Sequence, residues 1–273
     1  DYHWLKTEHP PFWPDKKLIA RNFSEQALKL SPPHELAGFV HIEAGFDNQA
    51  PWREIAWLEA HCQLPFRAIA FIDINQNCQD FARQLQQLLQ YASVTGCRHI
   101  LDDDAEAVLS SKQVQQNLTQ LAMAKLSFDL QMPLANPKAV ELLGQQLTLN
   151  PGLKVIINHG GWPPVDKPEQ TSWLRGLKKL SQFQQCAIKC SGWEMTNRHY
   201  PAQWPMRVIA NCLTHFGTNR VMLASNFPLC LFNDSYQNYW QQIIESLSVM
   251  NINESEAKKL CLDNARRWYD VSG

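Results

Sequence analysis

This 273-residue sequence has no apolar run near the roughly 20 residues a bilayer span needs, and no signal-peptide pattern opens it. It lacks an excess of either charge. Twenty-five Lys and Arg against 26 Asp and Glu leave a net charge of −1, which argues against nucleic acid or an anionic membrane surface as the main partner. It has no C-x-x-C pair: Cys62, Cys78, Cys97, Cys186, Cys190, Cys212, Cys230 and Cys261 are scattered, mostly through apolar patterns, and read as reduced core thiols of a cytoplasmic protein. There is no H-x-H, no H-E-x-x-H and no cysteine cluster at zinc spacing, so no metal signature is complete. A G-x-S-x-G elbow and a phosphate-binding glycine loop are also missing. Without linker, low-complexity tract or repeat, residues 1–273 read as one domain, close to the about 250 residues of a single α/β barrel.

What is present is an alternation of short β-branched runs with longer helical patterns. The candidate strands are Gly38–Ala44, Phe66–Ile74, Cys97–Leu101, Leu126–Gln131, Leu153–Asn158, Cys186–Ser191 and Arg220–Ser225. Each is apolar on both faces and followed by polar residues, as buried parallel strands are. Helical spacing predicts a helix over Pro51–Cys62 with Trp52, Ile55, Ala56 and Glu59 on one face, and others carrying Phe81, Leu85, Leu88 and Ala92; Val114, Leu118, Leu121 and Lys125; and Val140, Leu143 and Leu147. Further helices are expected at Trp173–Gln182, Trp204–Phe216, Ser235–Leu247 and Glu254–Trp268. Such alternation means a parallel sheet, closed as a (β/α)₈ barrel or open and doubly wound. Seven strands are found where a closed barrel has eight. Residues 1–37 carry no strand, only aromatic and proline-rich sequence and a short helix near Ser24–Lys29, so the first strand is expected upstream of Asp1.

In a parallel barrel the functional groups gather at the C-terminal ends of the strands. Those positions hold Glu43, Asp73, Arg98 and His99, Asp129 and Gln131, His159, Lys189 and Asn226. His159 ends an apolar strand and precedes two glycines; a histidine there can bind a metal, polarise a carbonyl or move a proton. Asn226 can hydrogen-bond a substrate but cannot deprotonate water. Arg98 can hold a carboxylate, or pair with Glu43 or Asp129; Lys189 can hold an anionic group, or pair with a neighbouring carboxylate. Trp4 and Trp162 are candidates to line a pocket. Asp102, Asp103 and Asp104 read as a solvated acidic loop.

Eight segments in order, DYHWL, VHIEAG, GCRHIL, LSFDLQ, VIINHGGWP, IKCSGW, FGTNRVMLASNFP and DNARRWY, resemble the amidohydrolase-related (amidohydrolase 2) proteins of the predicted metal-dependent TIM-barrel hydrolase group. That group includes sugar-lactone hydrolases and 2-pyrone-4,6-dicarboxylate lactonases. The resemblance implies a TIM barrel of amidohydrolase type whose first strand bears an H-x-H pair, which would fall upstream of Asp1. It places the family's metal-site histidine at His159, its strand-eight acid, the usual general base, at Asn226, and polar pocket positions at Glu43 and Arg98. Asn226 is not an acid, and Leu229 and Cys230 stand where part of the family has an aspartate after the proline.

The expectation is therefore a hydrolase of a small carboxylated or sugar-derived lactone. His159 polarises the carbonyl, Asn226 positions water or the oxyanion, and Arg98 and Lys189 hold a substrate carboxylate, with Glu43 or Asp129 as stand-in base. No cofactor is required, or one divalent metal, zinc, where the upstream histidines are present. The partner is a small molecule, with no nucleic acid and no membrane, and a homo-oligomer is compatible with the sequence. The alternatives are a catalytically silent barrel that binds a small acid or a partner, and a decarboxylase of a small aromatic or unsaturated acid.

Overall fold

The computed structural model describes residues 2–165 and 167–271. Seven strands, β1 (Phe39–Ile42), β2 (Phe66–Phe71), β3 (Val94–Ile100), β4 (Ser127–Gln131), β5 (Val155–Ile157), β6 (Cys186–Cys190) and β7 (Val221–Leu223), lie side by side in chain order, all parallel. Helices cross between them: α1 (Trp52–His61), α2 (Cys78–Leu88), α3 (Ala105–Ser110), α4 (Lys112–Met123), α5 (Pro137–Leu149), α6 (Lys167–Leu180), α7 (Trp193–Thr196), α8 (Gln203–Phe216), α9 (Tyr236–Val249), α10 (Glu254–Lys258) and α11 (Asn264–Tyr269).

Two separate cores show that this sheet is curled. One strand face packs with the helices, where Ala68, Cys97, Phe128, Val155 and Ile188 join Phe81, Leu118 and Leu143. The other face encloses Ile69, Ile156, Ala187 and Met222 with Val40 and Ile42. Residues of β1 and β2 can meet residues of β5 to β7 in one cluster only if the sheet bends round on itself. Trp268 and Tyr269 of α11 complete that inner cluster. The architecture is a (β/α) half-barrel of the TIM type, with β1 and β7 as its two edges.

Local chemistry sets the element ends. Asn77 and Asn136 cap α2 and α5 by accepting two backbone N–H groups each, and Pro137 opens α5 where no N–H is needed. Burying Phe81, Leu85 and Leu88 on α2 contributes about 1.5–3 kcal/mol per side chain.

Several boundaries differ from the sequence reading. β3 starts at Val94, before Cys97, because Gly96 sits inside it: a Cβ there would collide with the Ser127 side chain and Ile69, so the glycine marks a close strand approach rather than a boundary. The buried face of α1 is Glu54, Ile55 and Leu58, with Glu59 outside, since periodicity cannot anticipate a buried glutamate that takes the Ala44 N–H and the Tyr2 hydroxyl. Ala92 and Lys125 fall beyond the ends of α2 and α4. The expected Glu254–Trp268 helix is broken by a π-helical turn at Lys259–Asp263. Residues 2–37 form three 3₁₀ turns, at His3–Leu5, Lys16–Leu18 and Glu25–Leu28, and no strand.

Candidate active site

Four non-glycine residues that follow strands hold left-handed backbone: Asp102 (φ 36°) after β3, His159 (φ 52°) and Trp162 (φ 54°) after β5, and Asn226 (φ 56°) after β7. Such conformations cost about 1–3 kcal/mol each and persist where the surroundings force them, which is characteristic of functional sites. These four mark the rim.

His159 stands at its centre. The strand of Val155, Ile156 and Ile157 ends there, and the ring turns toward β6, with Nδ1 3.1 Å from Ser191 Oγ. Gly192, at φ 71°, gives the ring its space: a Cβ at that position would run into Nδ1. On the other side the Trp162 ring lies 5.3 Å away, centroid to centroid. Burial, then the positive charges of Lys189 and Arg98, push the His159 imidazolium down to about 3, so the ring is neutral at ordinary pH. Trp162 Nε1 donates to Asp102 Oδ1 at 3.1 Å, and Gln131 Nε2 reaches both Asp102 oxygens at 3.3 and 3.4 Å. Burial raises the Asp102 carboxyl above its ordinary value. Asp102 thus belongs to the rim and corrects the solvated-loop reading, which holds for the exposed Asp103 and Asp104.

The charged candidates are already engaged. Arg98 Nε donates to Glu43 Oε1 at 2.8 Å, Nη2 to the Glu43 carbonyl at 2.6 Å and Nη1 to Gln131 Oε1 at 3.2 Å. Lys189 Nζ donates to Asp129 Oδ2 at 2.7 Å, and the Tyr269 hydroxyl donates to the same oxygen at 3.0 Å, deep inside the barrel. Of the two roles open to Arg98 and to Lys189, the structure shows the ion pairs. Glu43 and Asp129 are spent in them, which removes both stand-in bases. Trp4 donates Nε1 to the Ala44 carbonyl at 2.7 Å and packs edge-on against Trp13, 6.1 Å away, so it fastens the N-terminal segment to the end of β1. His99 lies 3.5 Å from Asp73, beside the mouth.

Two further residues escaped the sequence reading. Asn158 is 1% exposed, with neither Oδ1 nor Nδ2 hydrogen-bonded among the described residues. Glu194, on α7, is likewise 1% exposed and accepts a hydrogen bond from Asn226 Nδ2 at 2.6 Å. Burial pushes its carboxyl up to about 7, against the opposing pull of the Asn226 amide and Arg198. The signal for Glu194 was the run CSGWEMT, which places an acid four residues beyond a strand end.

The Amidohydrolase family model matches residues 2–271, and the chain belongs to that family of hydrolases. It is 27% identical to the uncharacterized protein y4mH of Sinorhizobium fredii over 285 residues, 99% of this chain and 93% of that protein. It is 19% identical to an L-fucono-1,5-lactonase of Burkholderia ambifaria over 242 residues, 87% of this chain and 82% of that enzyme. Among solved structures, an amidohydrolase from Burkholderia multivorans with bound HEPES superposes with TM-score 0.82 at 16% identity, covering 100% of this chain and 94% of that one. In another crystal that protein holds zinc, with TM-score 0.72, 19% identity and coverages of 87% and 84%. A Pseudomonas putida protein assigned as a 2-pyrone-4,6-dicarboxylic acid hydrolase superposes with TM-score 0.71 at 19% identity, covering 91% and 86%.

A zinc ion needs three or four converging His, Cys, Asp or Glu ligands. Among the described residues no group of three such side chains converges. His159 leans on a serine, and the residue after β7 is an amide held by Glu194. These described donors by themselves do not make up a divalent-ion site. No helix among the described residues is long and apolar enough to cross a membrane.

Proposed function

We propose that this protein hydrolyses the ring ester of a small lactone, sugar-derived or carboxylated, to the open hydroxy acid. The observation that carries the reading is the neutral, conformationally strained His159, set between Ser191 and Trp162 at the mouth of the barrel. A neutral imidazole can donate one N–H to a carbonyl oxygen without first losing a proton, and such an oriented donor strengthens as the oxygen becomes an oxyanion. The second N–H of the Asn226 amide, left over from its bond to Glu194, is a further donor. The buried, unpaired amide of Asn158 lies one residue before His159, and on the same strand parity as Ile156 of the inner cluster. A substrate polar group there would relieve an unsatisfied pair that costs about 1–3 kcal/mol per group.

The lactonase and the pyrone hydrolase among the relatives support an ester rather than an amide as the bond cleaved. Because Arg98 and Lys189 are tied to carboxylates, substrate polarity is met by Asn158, Asn226, Trp162 and His159 rather than by a free cation. Eight free cysteines, five of them buried, support a reducing, cytoplasmic setting. The test is hydrolysis of L-fucono-1,5-lactone and of 2-pyrone-4,6-dicarboxylic acid, followed by proton release. Turnover of at least one is expected, falling about 100-fold or more in His159→Ala. Absence of turnover with both, or a His159→Ala variant as active as the wild type, overturns the proposal.

A further inference from the structure

Resting on the lactone reading, one problem stands: the strand-end position after β7, where an acid would activate water, is an amide. We propose that Glu194 is the general base of this site, its carboxylate carried one strand along, from the end of β7 to the turn after β6, and held there by Asn226.

The geometry assembles as a continuous arc. His159 follows β5, Ser191 and Glu194 follow β6, and Asn226 follows β7. Nδ1 of His159 meets Ser191, Gly192 abuts the same ring, and Asn226 Nδ2 donates to Glu194 Oε1. Glu194 is fixed from behind as well. Gly192 turns the chain with positive φ into α7, the neighbouring Trp193 is 1% exposed and packs edge-on against Trp204 at 5.6 Å, and Arg198 Nη1 donates to the Glu194 carbonyl. The amide at 226 suits this arrangement. A second carboxylate 2.6 Å from the first would force one of the two to stay protonated, whereas an amide leaves Glu194 able to ionise and orients it. The Asn226 amide is bound at Oε1, which leaves Oε2 as the oxygen to take a proton.

The step balances without a co-reactant. Glu194 Oε2 takes a proton from water as the water oxygen bonds to the lactone carbonyl carbon, and the carbonyl π pair moves to oxygen. The oxyanion is met by His159 and Asn226. As the pair returns, the ring C–O bond breaks and the departing alkoxide takes the proton from Glu194, restoring the carboxylate and leaving a hydroxy acid. A carboxyl that titrates near neutrality, as burial makes this one, is suited to both halves of that exchange. The titratable groups whose charges act on it or are acted on by it are Arg198 and Tyr200 beyond α7, Cys230 in the turn after β7, and Tyr239 on α9.

The test follows hydrolysis of L-fucono-1,5-lactone and 2-pyrone-4,6-dicarboxylic acid by wild type, Glu194→Gln and Glu194→Asp from about pH 5.5 to about 9. A base must be ionised, so wild-type kcat should climb with pH through about 7. In Glu194→Gln, kcat should fall about 100-fold or more, with KM within about threefold, and the acidic limb should vanish. Glu194→Asp should keep the limb with kcat about tenfold down. A Gln variant within about threefold of wild-type kcat, or one that keeps the limb, overturns the assignment while leaving lactone hydrolysis standing. Wild type inert toward both substrates overturns the lactone reading and the assignment with it. Should Glu194→Gln not fold, the Asp variant decides: kcat and limb identical to wild type overturn the proposal.

Discussion

At the scale of single residues, the half-buried His159 and the buried Glu194 are two titrating groups displaced in opposite directions. Glu194 holds its proton longer folded than unfolded, so the stability it lends is present below its ordinary pKa and is lost as pH rises through about 7. His159 is held neutral, so its contribution is present above its ordinary value and is lost as pH falls through 6.5 toward about 3. Between the ordinary carboxylate value of 4.5 and 6.5 the two slopes oppose, each at most about 1.4 kcal/mol per pH unit. His159→Gln should therefore lose urea stability from pH 4.5 to 6.5 relative to wild type, and Glu194→Gln should gain it. Parallel curves for all three proteins would refute both assignments of charge. Gly192 is the third residue of this group. Gly192→Ala takes on left-handed strain of about 1–2 kcal/mol, or about 2–8 °C in Tm, and its methyl displaces the His159 ring. A folded Gly192→Ala variant should thus lose far more lactone turnover than stability, read by comparing kcat with Tm.

At the scale of elements, what the sequence discloses depends on how locally each feature is determined. The strands and the stripes of α2 and α5 follow from apolar periodicity, which neighbours in sequence fix, and Phe81, Leu85, Val140 and Leu143 are buried as their spacing demands. His159 and Asn226 were legible because a polar residue ending an apolar strand must lie at the rim. Glu194 and Asp102 were hidden because their surroundings come from other strands: an acidic residue in a loop is ordinarily solvated, and only Asn226, Trp162 and Gln131 make these two otherwise. The N-terminal segment shows the same limit. Lys16 is 3% exposed, and its ammonium donates to the carbonyls of Trp4 (2.7 Å), Lys6 (3.0 Å) and His9 (2.7 Å), gathering the segment around one charge. Asp15 then binds Arg198 at 2.8 Å, with that guanidinium over Trp13 and Phe232, so the segment runs from the end of β1 to the turn after β7 across the site's open edge. Lys16→Met keeps the aliphatic stem but leaves three carbonyls without their donor, at about 1–3 kcal/mol each where buried. Limited proteolysis should cut residues 2–30 of that variant much faster while the barrel's main melting transition hardly moves. Equal cleavage rates would show that the ammonium is not what holds the segment.

For the whole molecule, the question is what the inside of the curled sheet is for. It is largely apolar, with Ile69, Ile156, Ala187, Met222 and Trp268, yet among them Asp129 of β4, in register with Ile156, Lys189 of β6, in register with Met222, and Tyr269 of α11 form a buried polar knot. That knot ties the sheet to the last helix, which Asn264 also pins by donating to the carbonyls of Thr218 and Val221 at 2.7 Å. Taking two charges out of water is expensive, and their attraction returns roughly what desolvation costs, so the pair need not add net stability; removing one partner strands the other. Asp129→Asn should accordingly lose about 3–5 kcal/mol, since it leaves the buried Lys189 without the carboxylate that offsets its desolvation. The triple variant Asp129→Leu, Lys189→Met, Tyr269→Phe removes every polar member at similar volume and should recover most of that loss. Chemical denaturation separates the two outcomes, and the same proteins settle which role Lys189 plays. If the knot only joins sheet to helix, a folded triple variant should hydrolyse lactone within about threefold of wild type. If instead it folds and its KM rises about 100-fold or more, then Lys189 leaves Asp129 to meet a substrate carboxylate, and the anion-holding role that its position at a strand end suggested is the true one.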